Sequence, residues 1–243
     1  MTSNPMLNNK ILENAIPTAE PMSIQGVINK TGILSLLVGA SGYYTWTLCA
    51  AGFMDKVAVL TWAGLIAGFV LCLVTCFKPQ SANITSPIYA LCEGLVLGSV
   101  SYAYGSLYNG IIIDAVLVTF IVMLSMLMLY KTGLIKATPV FRKVLLTSTI
   151  AVCIFYFAGL IGSLIGHPMT IFNGGLVGIG VSLLICGIAA FNFIIDFDNI
   201  ENASRIMLPK YFEWYFAFSI LVTLVWLYLE VLRLLAQLNS RRN

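Results

Sequence analysis

Long apolar stretches, separated by short polar segments, run through most of this chain. A helix needs about 20 apolar residues to cross the hydrocarbon core of a bilayer, and windows of that length predict seven membrane-spanning helices. The predicted spans are 31–53, 57–77, 84–104, 111–130, 144–165, 172–195 and 213–238. Because the segments between them are too short for a second domain, we expect one all-α, seven-helix membrane bundle over residues 31–243.

The polar parts of the chain predict its orientation. Residues 1–30 lack the apolar core that a cleaved signal peptide needs, so we interpret them as a flexible cytoplasmic arm. Short cytoplasmic loops retain Lys and Arg, and an N-terminus in the cytoplasm places nine of the 13 basic residues on that side. We therefore expect a cytoplasmic N-terminus and, with seven spans, a C-terminus on the opposite side.

The composition agrees with a membrane protein. Apolar residues make up 59% of the 243 residues and charged residues only 9%, well below the roughly 25% of soluble domains. The net charge of +3 is scattered, with no basic run suited to a phosphate backbone, so no nucleic-acid partner is expected. The six cysteines lie in apolar stretches and none forms a close pair beside a histidine, which favours packing over a metal or a cofactor.

Small residues recur three to five positions apart within three predicted spans. These stretches are GLIAG from Gly64, GLVLG from Gly94 and GLVGIG from Gly175. Without a hydrophobic force between membrane helices, close packing at such small residues decides association. The pattern predicts a tight bundle and carries no chemistry of its own.

An enzyme is not expected. GASG, residues 39–42, resembles the serine loop of intramembrane rhomboid proteases, but the single histidine, His167, lies in a predicted loop. An intramembrane aspartyl protease would need a GxGD motif, which the sequence lacks. We interpret Ser41 as a packing residue.

Carboxylates within predicted spans are the candidate functional residues, because a charge at the bilayer centre costs about 2.5–3.5 kcal/mol on insertion scales. Glu93 lies midway along the third span with no basic residue nearby in sequence, and no Lys or Arg is expected inside spans two to six. We predict that Glu93 faces the bundle interior as a pore or cavity carboxylate. The alternative is a protonated Glu93 hydrogen-bonded to a neighbouring helix.

The stretch FNFIIDFDNIE, residues 191–201, ends the sixth span with three carboxylates. On a helix Asp198 and Glu201 share a face, whereas Asp196 points away from Asp198 by about 200°. Asp198 is therefore the predicted interior carboxylate, and Asp196 is expected to face another helix or cytoplasmic water. Glu201 and Arg205 are four residues apart, which predicts an ion pair at the membrane surface.

The last span carries Glu213 at its entry and Glu230 farther along. At the helical rise per residue they are about 25 Å apart along the axis, so they cannot serve one site together. Glu213 is expected level with the acidic cluster of the sixth span, and Glu230 toward the far side with Arg233 one turn on. Either of them could partner Asp198.

Three segments resemble the Bax inhibitor (transmembrane Bax-inhibitor-motif) family: EGLVLG at 93–98, FDNIE at 197–201 and LYLEVLRLL at 227–235. The resemblance covers about residues 31–240 and points to a bacterial member. That family carries a Tyr-Asp-Thr-Gln-like segment in its sixth helix and Leu-Tyr-Leu-Asp in its last, and its two aspartates are thought to share a proton and gate a calcium leak. By motif, Asp198 matches the first aspartate and Glu230, a glutamate in this chain, matches the second.

The resemblance implies a pH-sensitive calcium leak channel in the inner (plasma) membrane, whose partners are the bilayer, calcium and protons. Two carboxylates held together at low dielectric share a proton, and calcium prefers hard oxygen ligands, so Asp198 and Glu230 are candidate calcium contacts. The resemblance also allows a non-transporting modulator of a membrane protease or of a stress response. A proton-coupled transporter is a third hypothesis, although no convincing internal repeat is present.

Overall fold

The computed structural model describes residues 20–166 and 175–241, and seven long helices make up most of this part of the chain. All seven are long and apolar enough to cross a membrane, which confirms the predicted all-α, seven-span architecture. They are α1 (Ile24–Ala50), α2 (Met54–Phe77), α3 (Ala82–Leu107), α4 (Ile111–Lys131), α5 (Pro139–Leu164), α6 (Leu176–Arg205) and α7 (Phe212–Ser240); a short 3₁₀ helix, Pro79–Ser81, precedes α3.

Several helices extend beyond the predicted apolar windows because capping residues, and not hydropathy, set their ends. Ser23 accepts a hydrogen bond from the Gly26 amide and starts α1 ahead of the predicted residue 31. Thr138 accepts from the Phe141 amide and starts α5 at Pro139, ahead of the predicted residue 144. The helix α6 continues to Arg205, so the whole acidic stretch 191–201 is helical.

Two predictions fall partly outside the described residues. Residues 1–19, which make up most of the proposed arm, and residues 167–174, which include His167 of the predicted loop, lie outside the described part of the chain. Within the described chain, left-handed glycines mark the connections on either side of α4. Gly110, with φ of +81°, precedes this helix, and Gly133, with φ of +71°, follows it.

The chain forms two compact units, and the first contains α1, α2 and α3 together with Asn199–Val222. Its helices approach closely at the predicted small residues. A Cβ added at Gly94 would lie 1.9 Å from Ser41 Oγ, and one added at Gly98 would lie 2.2 Å from the Gly42 carbonyl oxygen. A Cβ at Gly64 would lie 2.7 Å from the Cys92 carbonyl oxygen. Tight packing at GLIAG and GLVLG is therefore confirmed.

Two of the three glycines in the third small-residue stretch differ from those of α2 and α3 in their packing. At Gly175 and Gly180, in GLVGIG at the start of α6, an added Cβ would meet no heavy atom of another element within 4 Å. These two glycines do not mediate a close helix contact, so the expectation of tight packing is wrong for them.

The second unit contains Tyr108–Asp198 and the described chain from Thr223 onward. It therefore holds α4, α5, most of α6 and the second part of α7. Polar and aromatic contacts join α5 to α6: Asn192 Nδ2 donates to Thr149 Oγ1 at 3.1 Å, and the rings of Phe141 and Phe191 meet edge to face. Of the seven helices, α7 is the most buried.

Candidate functional site: carboxylates of the membrane-spanning helices

Asp198 lies near the end of α6 and is held by side chains from α4 and α5. Tyr130 Oη donates to Asp198 Oδ1 at 3.3 Å, and the Arg142 guanidinium forms an ion pair with Oδ2. Tyr130 is the penultimate residue of α4 and Arg142 lies near the start of α5. Both ends of the α4–α5 connection therefore meet at Asp198.

Arg142 is a functional candidate that the sequence analysis missed. The apolar window of the fifth span begins at residue 144, but α5 begins at Pro139, so Arg142 lies in its first turn, ahead of that window. An apolar window stops at the first charges, whereas the helix begins at its cap. The Thr138–Pro139 pair, a good N-cap followed by proline at the first helical position, is the signal that could have revealed the earlier start.

Asp196 is buried, with 7% exposure, and Thr223 Oγ1 of α7 donates to its Oδ2 at 2.7 Å. The Asp198 side chain is 23% exposed. The prediction that Asp198 is the more interior aspartate is therefore wrong. Asp196 faces another helix, which was one of the two positions expected for it. The buried positions of α6 recur at Ala189, Phe193 and Ile200, which are seven and three residues before Asp196 and four after it. Asp196 falls on that buried face.

The end of α6 contains the predicted surface ion pair. Arg205 Nη2 lies 2.5 Å from Glu201 Oε1, and both side chains are at least a third exposed. This contact confirms the prediction from their spacing. At such exposure the pair contributes little to stability.

Glu230 in α7 is almost fully buried, with 2% exposure, and has three donors. Tyr156 Oη and Trp226 Nε1 donate to its Oε1 at 2.6 and 3.2 Å, and Arg233 Nη1 lies 3.1 Å from its Oε2. The Arg233 guanidinium also stacks over the Tyr156 ring, 4.9 Å from its centre. A buried carboxylate needs such an opposite charge and hydrogen bonds to offset its desolvation.

Glu213, in the first turn of α7, binds residues at the start of α1. Its Oε1 accepts from the Ser23 amide at 2.8 Å and from Ser23 Oγ at 3.0 Å, and its Oε2 forms an ion pair with Lys30. A Cβ at Gly26 would lie 2.2 Å from the Glu213 carboxyl carbon, so a larger residue there would displace the carboxylate from its present position. No local pattern predicts these contacts, because the partners are about 190 residues apart.

Glu93 is half-buried in α3 and hydrogen-bonded to Tyr89, four residues earlier in the same helix. Its Oε2 lies 3.7 Å from the position that a Cβ would take at Gly68 of α2. The carboxylate thus lies against α2, which agrees with the predicted interior position. Its role as a pore carboxylate stays a prediction.

Within residues 20–166 and 175–241, no three His, Cys, Asp or Glu side chains are close enough to hold a metal ion together. Calcium coordination by Asp198 and Glu230, and a proton shared by a carboxylate pair, stay predictions.

Ser41 donates its hydroxyl to the Leu37 carbonyl at 2.9 Å and abuts Gly94. These contacts agree with a packing residue.

Comparison with known proteins supports the resemblance seen in the sequence. The profile of a family described as Bax inhibitor 1 like matches residues 4–240, nearly the whole chain. No curated protein and no solved structure matches the chain.

Proposed function

Since the chain belongs to the Bax inhibitor 1-like family, we propose that it forms a pH-sensitive calcium leak across the membrane, gated by carboxylates of α6 and α7. One observation carries the proposal: a single compact unit contains Asp196, Asp198 and Glu230, all within membrane-spanning helices. Ionisable side chains at such positions are costly in hydrocarbon and characteristically mark ion or proton pathways.

The ion pair between Asp198 and Arg142 supplies a lock that responds to protons. While Asp198 is ionised, the guanidinium of α5 is attracted to α6. A proton on Asp198 removes the carboxylate charge and with it most of this attraction. Glu230 then offers hard oxygen atoms of the kind that calcium prefers, without forming a resident metal site.

Glu230 is the favoured second carboxylate in this mechanism. It belongs to the same compact unit as Asp198, whereas Glu213 belongs to the other unit and is engaged by Ser23 and Lys30.

The test is calcium entry into proteoliposomes, measured from neutral to acidic pH. We expect Asp198→Asn to flatten the pH dependence, because an amide keeps the shape of the side chain and cannot release a proton. Asp196→Asn, two residues away on the same helix, is the matched variant and should keep most of the pH response. Loss of the response in Asp196→Asn with retention in Asp198→Asn would show that Asp196 is the gating residue.

An exposed ion pair supplies a further control. Lys210 donates to Glu20 at 2.6 Å and holds the pKa of that carboxyl below its usual value, while Glu20 raises the pKa of Lys210. The contribution of Glu20 to stability is lost only as pH falls through its lowered pKa in the folded protein. The contribution of Lys210 to stability is lost only as pH rises through its raised pKa. Both residues are exposed and belong to the other compact unit, so Glu20→Gln should leave the pH response of the leak unchanged.

The same assay separates the channel from the other family role. Wild-type protein that folds in liposomes but admits no calcium at any pH would contradict the leak. That result would favour the non-transporting modulator of a membrane protease or stress response.

A further inference from the structure

The connection between α4 and α5 carries an unusual excess of positive charge. Four basic residues lie within residues 131–143, and the sequence has no acidic residue between Asp114 and Asp196. Arg142 is paired with Asp198, whereas Lys131, Lys136 and Lys143 are exposed. We call these three lysines the lysine patch.

Exposed apolar side chains accompany the lysine patch. Leu134 is 76% exposed and Val140 is 71% exposed, and both lie between lysines of the patch in sequence. The connection ends two membrane-spanning helices, so it lies at a membrane surface. Apolar side chains that enter the hydrocarbon boundary beside cationic groups at headgroup level are typical of a lipid-contacting segment.

The connection is also tied directly to the candidate gate. Tyr130 before it and Arg142 after it both bind Asp198. Arg142 Nε in addition donates to the Ala137 carbonyl at 3.4 Å, within the connection itself. A ligand that attracts the connection therefore acts on the residues that hold Asp198.

We propose that the lysine patch binds the headgroups of anionic phospholipids, and that a bound headgroup competes with Asp198 for Arg142. The phosphate of such a lipid is negatively charged and complements the positive charge of the patch, because anionic membrane surfaces attract nearby Lys and Arg side chains. Arg binds phosphate as readily as carboxylate through its fork of donors. The competition, but not the binding, rests on the proposed calcium leak.

Lipid binding is tested without any flux measurement. The full-length protein is placed in phosphatidylcholine vesicles with a trace of spin-labelled phosphatidylglycerol or spin-labelled phosphatidylcholine, and the immobilised fraction of each label is measured. Wild-type protein should retain phosphatidylglycerol preferentially. The variant Lys131→Gln/Lys136→Gln/Lys143→Gln should lose this preference, whereas Lys56→Gln/Lys78→Gln, which alters lysines of the other compact unit, should keep it. Equal preference in the two variants would overturn the site.

Inorganic phosphate distinguishes a lipid from a soluble anion. Because the exposed apolar side chains and the membrane location favour a lipid, phosphate added at matched ionic strength should not displace the spin-labelled phosphatidylglycerol. Displacement by phosphate, with a chloride control that has no effect, would overturn the lipid assignment.

The competition is tested by calcium entry at a single pH into vesicles with and without phosphatidylglycerol. The anionic lipid should increase the leak of the wild-type protein, and the triple lysine variant should show the same leak in both kinds of vesicle. A wild-type leak that does not respond to phosphatidylglycerol would overturn the competition. Absence of any leak would overturn the proposed function and the competition together, while the spin-label result would still decide the lipid site.

Discussion

The contact between Glu93 and Tyr89 shows how a span accommodates a carboxylate that has no basic residue nearby in sequence. The Tyr89 side chain is buried, and its hydroxyl bonds to Glu93. We expect Glu93→Gln to fold almost normally, because the amide oxygen can still accept that bond. Glu93→Leu should lower the free energy of unfolding by about 1–3 kcal/mol, because the Tyr89 hydroxyl would lose its acceptor. Thermal midpoints in detergent give the comparison, and equal losses in the two variants would contradict this account.

At the scale of the helix, the packing of α1 against α3 depends on Gly94. A Cβ there would lie 1.9 Å from Ser41 Oγ and 2.4 Å from the Val38 carbonyl oxygen. The Val38 carbonyl belongs to the backbone, so a change of side-chain rotamer cannot relieve this clash. Gly94→Ala should therefore destabilise the protein by about 1–3 kcal/mol in thermal unfolding. Gly39→Ala is the matched control, because an added Cβ meets nothing within 4 Å there. Alanine suits a helix better than glycine by about 0.5–1 kcal/mol, so this control should be neutral or stabilising.

The start of α1 is fastened to the start of α7 by Glu213, which is 3% exposed. Removing one partner of a buried ion pair costs about 3–5 kcal/mol, so Glu213→Leu should destabilise the protein strongly and Glu213→Gln less. Hydrogen exchange should show the loss of protection first at the beginning of α1, near Ser23. Glu201→Gln, which removes an exposed ion pair, should change stability by less than about 1 kcal/mol. Unchanged protection at the start of α1 in Glu213→Leu would contradict this role.

For the whole molecule, the distribution of basic residues predicts which side each connection occupies. In a background without native cysteines, Thr132→Cys in the α4–α5 connection should react with an impermeant maleimide only from the cytoplasmic side. Asn109→Cys, in the connection before α4, should react only from the opposite side. The reverse pattern would overturn the predicted cytoplasmic N-terminus.

The sequence by itself determined the number of helices and their approximate positions. The reason is local: hydrocarbon requires about 20 consecutive apolar residues per span, and a helix satisfies its own backbone groups within that segment. Contacts within one helix were predictable for the same reason. The pairs Glu201–Arg205 and Glu230–Arg233 follow from helical spacing alone.

Only the tertiary structure decided which groups hold the candidate carboxylates. The Asp198–Arg142 and Glu213–Lys30 pairs join residues that are 56 and 183 positions apart, and the burial of Asp196 depends on which face of α6 is covered. Spacing along one helix fixes the relative direction of its own side chains, but not the neighbour that each face meets. That choice is made by packing between helices, through small residues and close backbone approach, and it assigns each carboxylate its donors.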